Sequence, residues 1–213
     1  MNADPLTYLT VDKRFGPFEI REKGSRFISW LYPAQNESQV NAILRDLGRT
    51  YHDATHICWS FRIFRQNAEY VRYDDDGEPG GTAGQPIFYE LKGRNYYDIL
   101  LAVIRYFGGT KLGTGGLAKA YAGAAREVLN HSRPLVRTVL ERITVRFPFD
   151  FTGEMRHVAQ QFDLEIIKQD FAPDGVRITL DIPVSRLDEV ERELVARSRG
   201  KIKLIKESPE TIE

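Results

Sequence analysis

Two polar, glycine-rich segments constrain this chain more than anything else in it: Asp74-Asp75-Asp76-Gly77-Glu78-Pro79-Gly80-Gly81-Thr82-Ala83-Gly84-Gln85-Pro86 and Arg105-Tyr106-Phe107-Gly108-Gly109-Thr110-Lys111-Leu112-Gly113-Thr114-Gly115-Gly116. Together they hold nine of its 17 glycines. Each runs from an extended segment toward a helical one, so each can aim free backbone N–H groups at an anion or bring one backbone against another. A flexible linker has no need of the carboxylates, lysine and aromatics at their edges. The pattern is that of a recognition surface.

The surrounding sequence supplies the elements such loops would join. Phe18 to Arg21 and Ser25 to Tyr32 alternate as strands around the turn Lys23-Gly24. From Ser38, the residues Val40, Ile43, Leu44 and Leu47 recur at helical spacing up to Gly48. His56 to Phe64 alternates again as a strand, the acidic loop follows, and Thr82 is placed to cap a helix carrying Pro86, Ile87, Tyr89, Glu90 and Leu91. Ile99 to Phe107 is a continuous apolar run, expected to be a strand buried on both faces. Leu117, Ala118, Tyr121, Ala124, Ala125, Val128 and Leu129 then form an amphipathic helix whose small residues give it a narrow face.

Ser132-Arg133-Pro134 interrupts this rhythm. Strands over 141–149, 164–171, 176–184 and 201–205 and helices over 151–162 and 186–198 follow in the order βαββαβ, with the turn Pro173-Asp174-Gly175 between the middle strands. That order is the ferredoxin-like arrangement. The expected fold class is α+β with two domains, 1–138 and 139–213.

Charge and composition narrow the function classes. Thirty basic residues balance thirty acidic ones, so no global attraction to nucleic acid or anionic membrane follows. No apolar run approaches the roughly 20 residues that span a bilayer. Met1-Asn2-Ala3-Asp4-Pro5 lacks the layout of a secretion signal, so a cytoplasmic protein is expected. Cys58 is the only cysteine, which excludes an internal disulfide and a cysteine-rich metal site.

Several familiar sites fail on spacing. Gly108 and Gly113 have P-loop spacing, but Thr114-Gly115 stands where a Lys-Ser/Thr pair is needed, and Lys111 sits inside the loop instead. Gly113, Gly115 and Ala118 fit a dinucleotide pattern, with only Glu141 as a distant ribose ligand. Asp74, Asp75, Asp76 and Glu78 could hold a hard cation, yet an EF-hand counted back from Gly77 would begin at Arg72; a solvated turn or helix-entry acidic cluster is the plainer reading. His52-Asp53-Ala54-Thr55-His56 resembles a zincin motif, which works only on a helix, whereas His56 opens a strand. Arg62, Arg65, Arg72, Arg105 and Lys111 interleave with Trp59, Phe61, Phe64, Tyr70, Tyr73, Tyr106 and Phe107, a mixture that suits stacked RNA bases or, equally, a strand with aromatics inward and arginines outward. The basic tail of Arg197, Arg199, Lys201, Lys203 and Lys206 reads as a solvated edge strand.

Three segments in order and spacing, Asp53-Ala54-Thr55-His56-Ile57-Cys58, Asp75 to Gly84 and Arg105 to Tyr121, resemble the YigZ/IMPACT family. The resemblance runs from about Lys23 to the end of the chain. It implies an N-terminal domain similar to the second domain of a small-subunit ribosomal protein, with helices on one face of a mixed sheet. It also implies a ferredoxin-like C-terminal domain similar to the last domains of elongation factor G. Eukaryotic relatives regulate translation by competing for an activator of a starvation-responsive initiation-factor kinase, aided by an N-terminal recruitment domain not seen in these residues. What carries over is a link to translation or ribosome-associated RNA.

Two functions follow as expectations. The first is a non-catalytic protein that binds RNA, the ribosome or translation factors, without a cofactor and away from membranes. Its anion site would comprise Arg105, Gly108, Gly109, Lys111, Gly113, Thr114, Gly115 and Gly116 with Thr82 and Gly84 of the first loop. The second is an enzyme acting on a phosphorylated small molecule, in which Asp75, Asp76 or Glu78 supplies a metal ligand or base and His56 a polar role. Gly81, Gly109 and Gly115 are the candidates for positive φ or close backbone approach.

Overall fold

A computed structural model describes residues 7–65 and 68–205, which divide into two compact units, 7–137 and 138–205. The first contains β1 (Thr7–Thr10), β2 (Phe15–Glu22), β3 (Ser25–Pro33), α1 (Glu37–Thr50), β4 (His56–Arg65), β5 (Ala68–Asp74), α2 (Gly84–Gly93), β6 (Ile99–Tyr106), α3 (Gly113–His131) and β7 (Leu135–Thr138), whose last residue begins the second unit. Its main sheet has the order β2-β3-β6-β4-β5, and β1 pairs with β7 in a separate ribbon.

β6 explains the layering. Seven of its eight residues are buried, and they alternate between two cores. Ile99, Leu101 and Val103 pack with α2 and α3, and Leu100, Ala102 and Ile104 pack on the side of α1 through Val40 and Leu47. A continuous apolar run therefore becomes the central strand, covered on both faces. The four neighbouring pairs are all antiparallel. This corrects two implications of the family resemblance: the sheet is antiparallel, not mixed, and helices cover both faces, not one.

Local chemistry sets the joints. Lys23 and Gly24 both have positive φ and form a two-residue hairpin between Glu22 and its partner Ser25, the backbone handedness that matches strand twist. Asn36 caps α1, its side chain accepting the Gln39 N–H. β5 escaped the sequence reading because it is an edge strand with six of seven residues exposed, so no apolar alternation marks it.

The second unit comprises β8 (Leu140–Phe147), α4 (Thr152–Gln161), β9 (Glu165–Ala172), β10 (Gly175–Pro183), α5 (Leu187–Ser198) and β11 (Lys203–Ile205). Its antiparallel sheet runs β11-β8-β10-β9. Ile143, Val145 and Phe147 of β8 and Ile178, Leu180 and Ile182 of β10 share a core with Met155 and Val158 of α4 and Val190 and Leu194 of α5. Lys206 of the basic tail lies outside the described residues.

Candidate functional site at the glycine loops

Strand parity decides which side chains meet beneath the loops. Phe27 of β3 pairs with Arg105 of β6, and Arg105 pairs with His56 of β4, so the three form one row across the sheet. Cys58, two residues on, belongs to the α2/α3 core, so the row faces those helices. Both glycine loops cross this end of the sheet.

At its centre is a buried ion pair. The side chains of Arg105 and Glu78 are 6% and 3% exposed, and Arg105 Nη1 donates to Glu78 Oε1 at 2.5 Å. Tyr121 of α3 donates its hydroxyl to the same oxygen at 2.7 Å. Arg105 Nη2 reaches Ser25 Oγ at 3.4 Å, while its buried Nε has no partner among the described residues. A buried carboxylate is tolerable only with a cation and donors of this kind around it. Burial, with Cys58 and Glu78 beside it, pushes the Tyr121 phenol far up, so it stays protonated and donates. Burial likewise raises the Cys58 thiol, which lies 3.3 Å from Tyr121 Oη and 3.1 Å from the Asp75 carbonyl. A thiol held protonated is no nucleophile.

The acidic run proves to be a set of clasps. Asp75 Oδ1 accepts the N–H groups of Ala83 and Gly84, each at 2.8 Å, and Oδ2 accepts that of Gly81 at 2.7 Å. Asp76 Oδ2 accepts the Ile57 N–H at 2.6 Å. The His56 ring nitrogen Nδ1 lies 2.6 Å from the Asp76 carbonyl, and since a carbonyl only accepts, Nδ1 carries the proton. Nε2 of the same ring is 3.9 Å from Glu78 Oε1. The cap position of α2 is Ala83, not Thr82, whose hydroxyl donates instead to the Pro79 carbonyl at 2.6 Å. The amides at the head of α2 that the sequence offered to an anion, that of Gly84 included, are thus taken by Asp75. Asp75→Ala is expected to lose about 2 kcal/mol of stability, the upper range for a helix cap, because three N–H groups lose their acceptor. Denaturant unfolding followed by fluorescence checks this, since both tryptophans, Trp30 and Trp59, lie in the first unit.

The second loop differs. Gly108 is pressed on the hairpin turn: a Cβ there would run into the Gly24 carbonyl and the Ser25 nitrogen, and its N–H donates to Ser25 Oγ at 3.2 Å. Beyond it the chain opens to solvent. Gly109, Thr110, Lys111, Gly113, Thr114 and Gly115 are exposed, and Gly116 is half-buried. No side chain caps α3, whose cap position is Leu112. Gly109 and Gly113 have positive φ, and a Cβ at either, or at Gly115, would meet nothing. Phe107 is 48% exposed beside this opening, and the Arg105 guanidinium lies 5.6 Å from its ring centre.

The basic and aromatic residues of the sequence thus separate into two groups. Arg105 and Arg62 face inward: Arg62 is 2% exposed, pairs with Glu69 at 2.8 Å and donates to the carbonyls of Leu91 and Tyr96 near the end of α2. Arg72 and Tyr70 both bond Glu37, and Tyr73 stacks with Phe88. The Arg65 side chain lies outside the described part. Lys111 and Phe107 remain outward. His52 sits in a turn and His56 in a strand, so the zincin-like spacing falls on no helix. Among the described residues no three His, Cys, Asp or Glu side chains gather as metal ligands. Tyr121 and Ser25 were missed as site residues. Tyr121 offered a faint signal, the one large polar side chain on the narrow, alanine-lined face of α3.

The fold and site together define a two-unit α+β protein in which an ion pair is sealed under two glycine loops, one clasped and one open. The chain belongs to the IMPACT family. Residues 23–129 match the Impact N-terminal domain. The chain is 30% identical to the IMPACT family member YigZ of Escherichia coli, over 86% of this chain and 90% of that protein. It is 34% identical to the family member YvyE of Bacillus subtilis, over 71% of this chain and 69% of that one. A crystal structure of a hypothetical protein superposes with a TM-score of 0.67 at 28% identity, covering 96% of this chain and 99% of the other.

Proposed function

We propose that this protein binds RNA in the service of translation, through the second glycine loop and the head of α3. The observation that carries the reading is the contrast between the loops. Asp75 occupies the amides of the first, whereas no side chain caps the 19-residue helix α3, whose first residues Gly113, Thr114 and Gly115 are exposed, as are Lys111 and Phe107 just before them in the chain. A helix N-terminus favours a phosphate, a lysine adds charge, and an aromatic ring offers a base a surface to stack on. The site therefore comprises Gly109, Lys111, Gly113, Thr114 and Gly115, with Gly108 and Arg105 as its support and Thr82 and Gly84 outside it. The family resemblance points toward translation as well. We read the second unit, with its strand order β11-β8-β10-β9, as a ferredoxin-like domain that folds on its own.

The alternative, an enzyme acting on a phosphorylated small molecule, draws on carboxylates that are engaged elsewhere. Asp75 binds three amides, Asp76 bonds Ile57, and Glu78 holds Arg105 and Tyr121.

Fluorescence anisotropy with a labelled single-stranded RNA tests the reading. Lys111→Glu is expected to weaken binding at least about tenfold and to flatten its salt dependence. Phe107→Ala should weaken RNA while leaving inorganic phosphate unaffected. Arg45→Glu, on α1 across the sheet, should change neither. Equal losses from Lys111→Glu and Arg45→Glu would mean diffuse charge and no loop site.

A further inference from the structure

A second place in the first unit is built like a binding site and is used by nothing described so far. A cleft of about 360 Å³ opens between α1 and the β1 ribbon, with Asp98 and Arg137 among the residues that line it. That volume falls at the small end of those that hold organic ligands, about 300–1,000 Å³.

Its floor is rigid and its polar groups are sorted. Asp98 has φ +55, a left-handed conformation rare outside glycine, and four hydrogen bonds hold it there. Its Oδ1 accepts the Phe64 N–H at 3.1 Å, its Oδ2 the Tyr8 hydroxyl at 2.6 Å, and its carbonyl both the Ala34 N–H at 2.9 Å and the Thr10 hydroxyl at 3.4 Å. Asp98 forms no ion pair with Arg137, which is exposed and pairs with no described carboxylate. Burial and the bond to Asp98 push the Tyr8 phenol up, and the Arg137 charge opposes that shift. Gln39 takes the Gln35 N–H on its amide oxygen at 2.7 Å, which leaves its NH2 group as a second donor. The walls are otherwise apolar: Val11, Pro33, Ala34, Ala42 and Ile43.

We infer that this cleft binds a small monocarboxylate with an apolar body. The carboxylate meets the Arg137 guanidinium, a planar fork that matches its two oxygens, and the hydrocarbon part lies against Val11, Ala34 and Ile43. Among the described lining residues Arg137 is the one cation, which suits a single negative charge, and apolar walls disfavour a fully hydrated ion such as phosphate. The inference is independent of the RNA site, since no lining residue belongs to either glycine loop.

The test is titration of the full chain with hexanoate, followed by amide NMR, with hexanol and inorganic phosphate in parallel. Saturable shifts confined to the cleft residues are expected, with a Kd at or below about 10 mM. Hexanol and phosphate should each bind at least about tenfold more weakly. Arg137→Glu should abolish saturation, and Arg137→Lys, which keeps the charge but not the fork, should retain part of it; should Arg137→Glu not fold, Arg137→Gln takes its place. No saturable hexanoate binding, equal binding of phosphate, or an Arg137 variant that binds like the parent would each overturn the inference. RNA affinity should be the same with and without hexanoate, so failure here leaves the loop site standing.

Discussion

Glu78→Gln is expected to destabilise the first unit by about 3–5 kcal/mol, the cost of leaving one member of a buried ion pair uncompensated. The amide keeps the shape of the carboxylate, so the loss measures charge. Arg105 would remain as a cation with a side chain 6% exposed, its nearest carboxylate gone, and Tyr121 would face a weaker acceptor. In guanidinium the tryptophan transition should move down by about 1 M or more. Replacing both partners, Glu78→Leu with Arg105→Met, should be much milder, because removing both charges also removes their desolvation penalty. The surface pair Arg126–Glu90, with Arg126 55% exposed, gives the contrast: Arg126→Ala should cost no more than about 1 kcal/mol. A Glu78→Gln protein that melts within 1 kcal/mol of the parent would show that the pair is not sealed, on the scale expected for exposed pairs of about 0–1 kcal/mol.

Gly108→Val should cost about 3 kcal/mol or more, the largest effect of any glycine in the two loops, because its Cβ would sit on the backbone of Gly24 and Ser25. Neither side can yield cheaply. Gly24 has φ +83 and is fixed in a two-residue turn, and the Ser25 hydroxyl is shared with Arg105 and the Gly108 N–H. Gly109→Val meets open space but must hold a φ of +86, which puts it at about 1–2 kcal/mol. Gly115 needs neither form of freedom. It lies in the first turn of α3 without positive φ or close neighbours, so Gly115→Ala should stabilise the helix by up to about 1 kcal/mol. Unfolding midpoints of the three variants check the order, and equal midpoints would mean that these loops are ordinary turns. Gly115 shows the limit of reading glycines from sequence, since a run of them does not say which touches another chain segment.

Much of the fold was legible because the signals are local. Alternation in Ser25 to Tyr32 and His56 to Phe64, the continuous run from Ile99, and helical spacing in α1 and α3 depend only on which face each residue must bury. The order of elements from β8 onward was legible for the same reason. β5 was not, because an exposed edge strand carries no burial pattern, and neither were β1 and β7, four residues each, which exist through pairing with one another.

For the site, the sequence by itself determined that Arg105, Glu78, His56 and the glycines lie at loop-and-strand junctions, but not that Arg62 and Arg105 would face inward. Chain pattern alone could not say which strands are neighbours. Tertiary structure decided that Phe27, Arg105 and His56 form one row, that Tyr121 comes down on Glu78, and that Asp75 closes the head of α2 while the head of α3 stays open. The physical reason is that burial periodicity is a property of each segment alone, whereas a buried charge finds its partner across 27 residues, as Arg105 does with Glu78, or 43, as Tyr121 does.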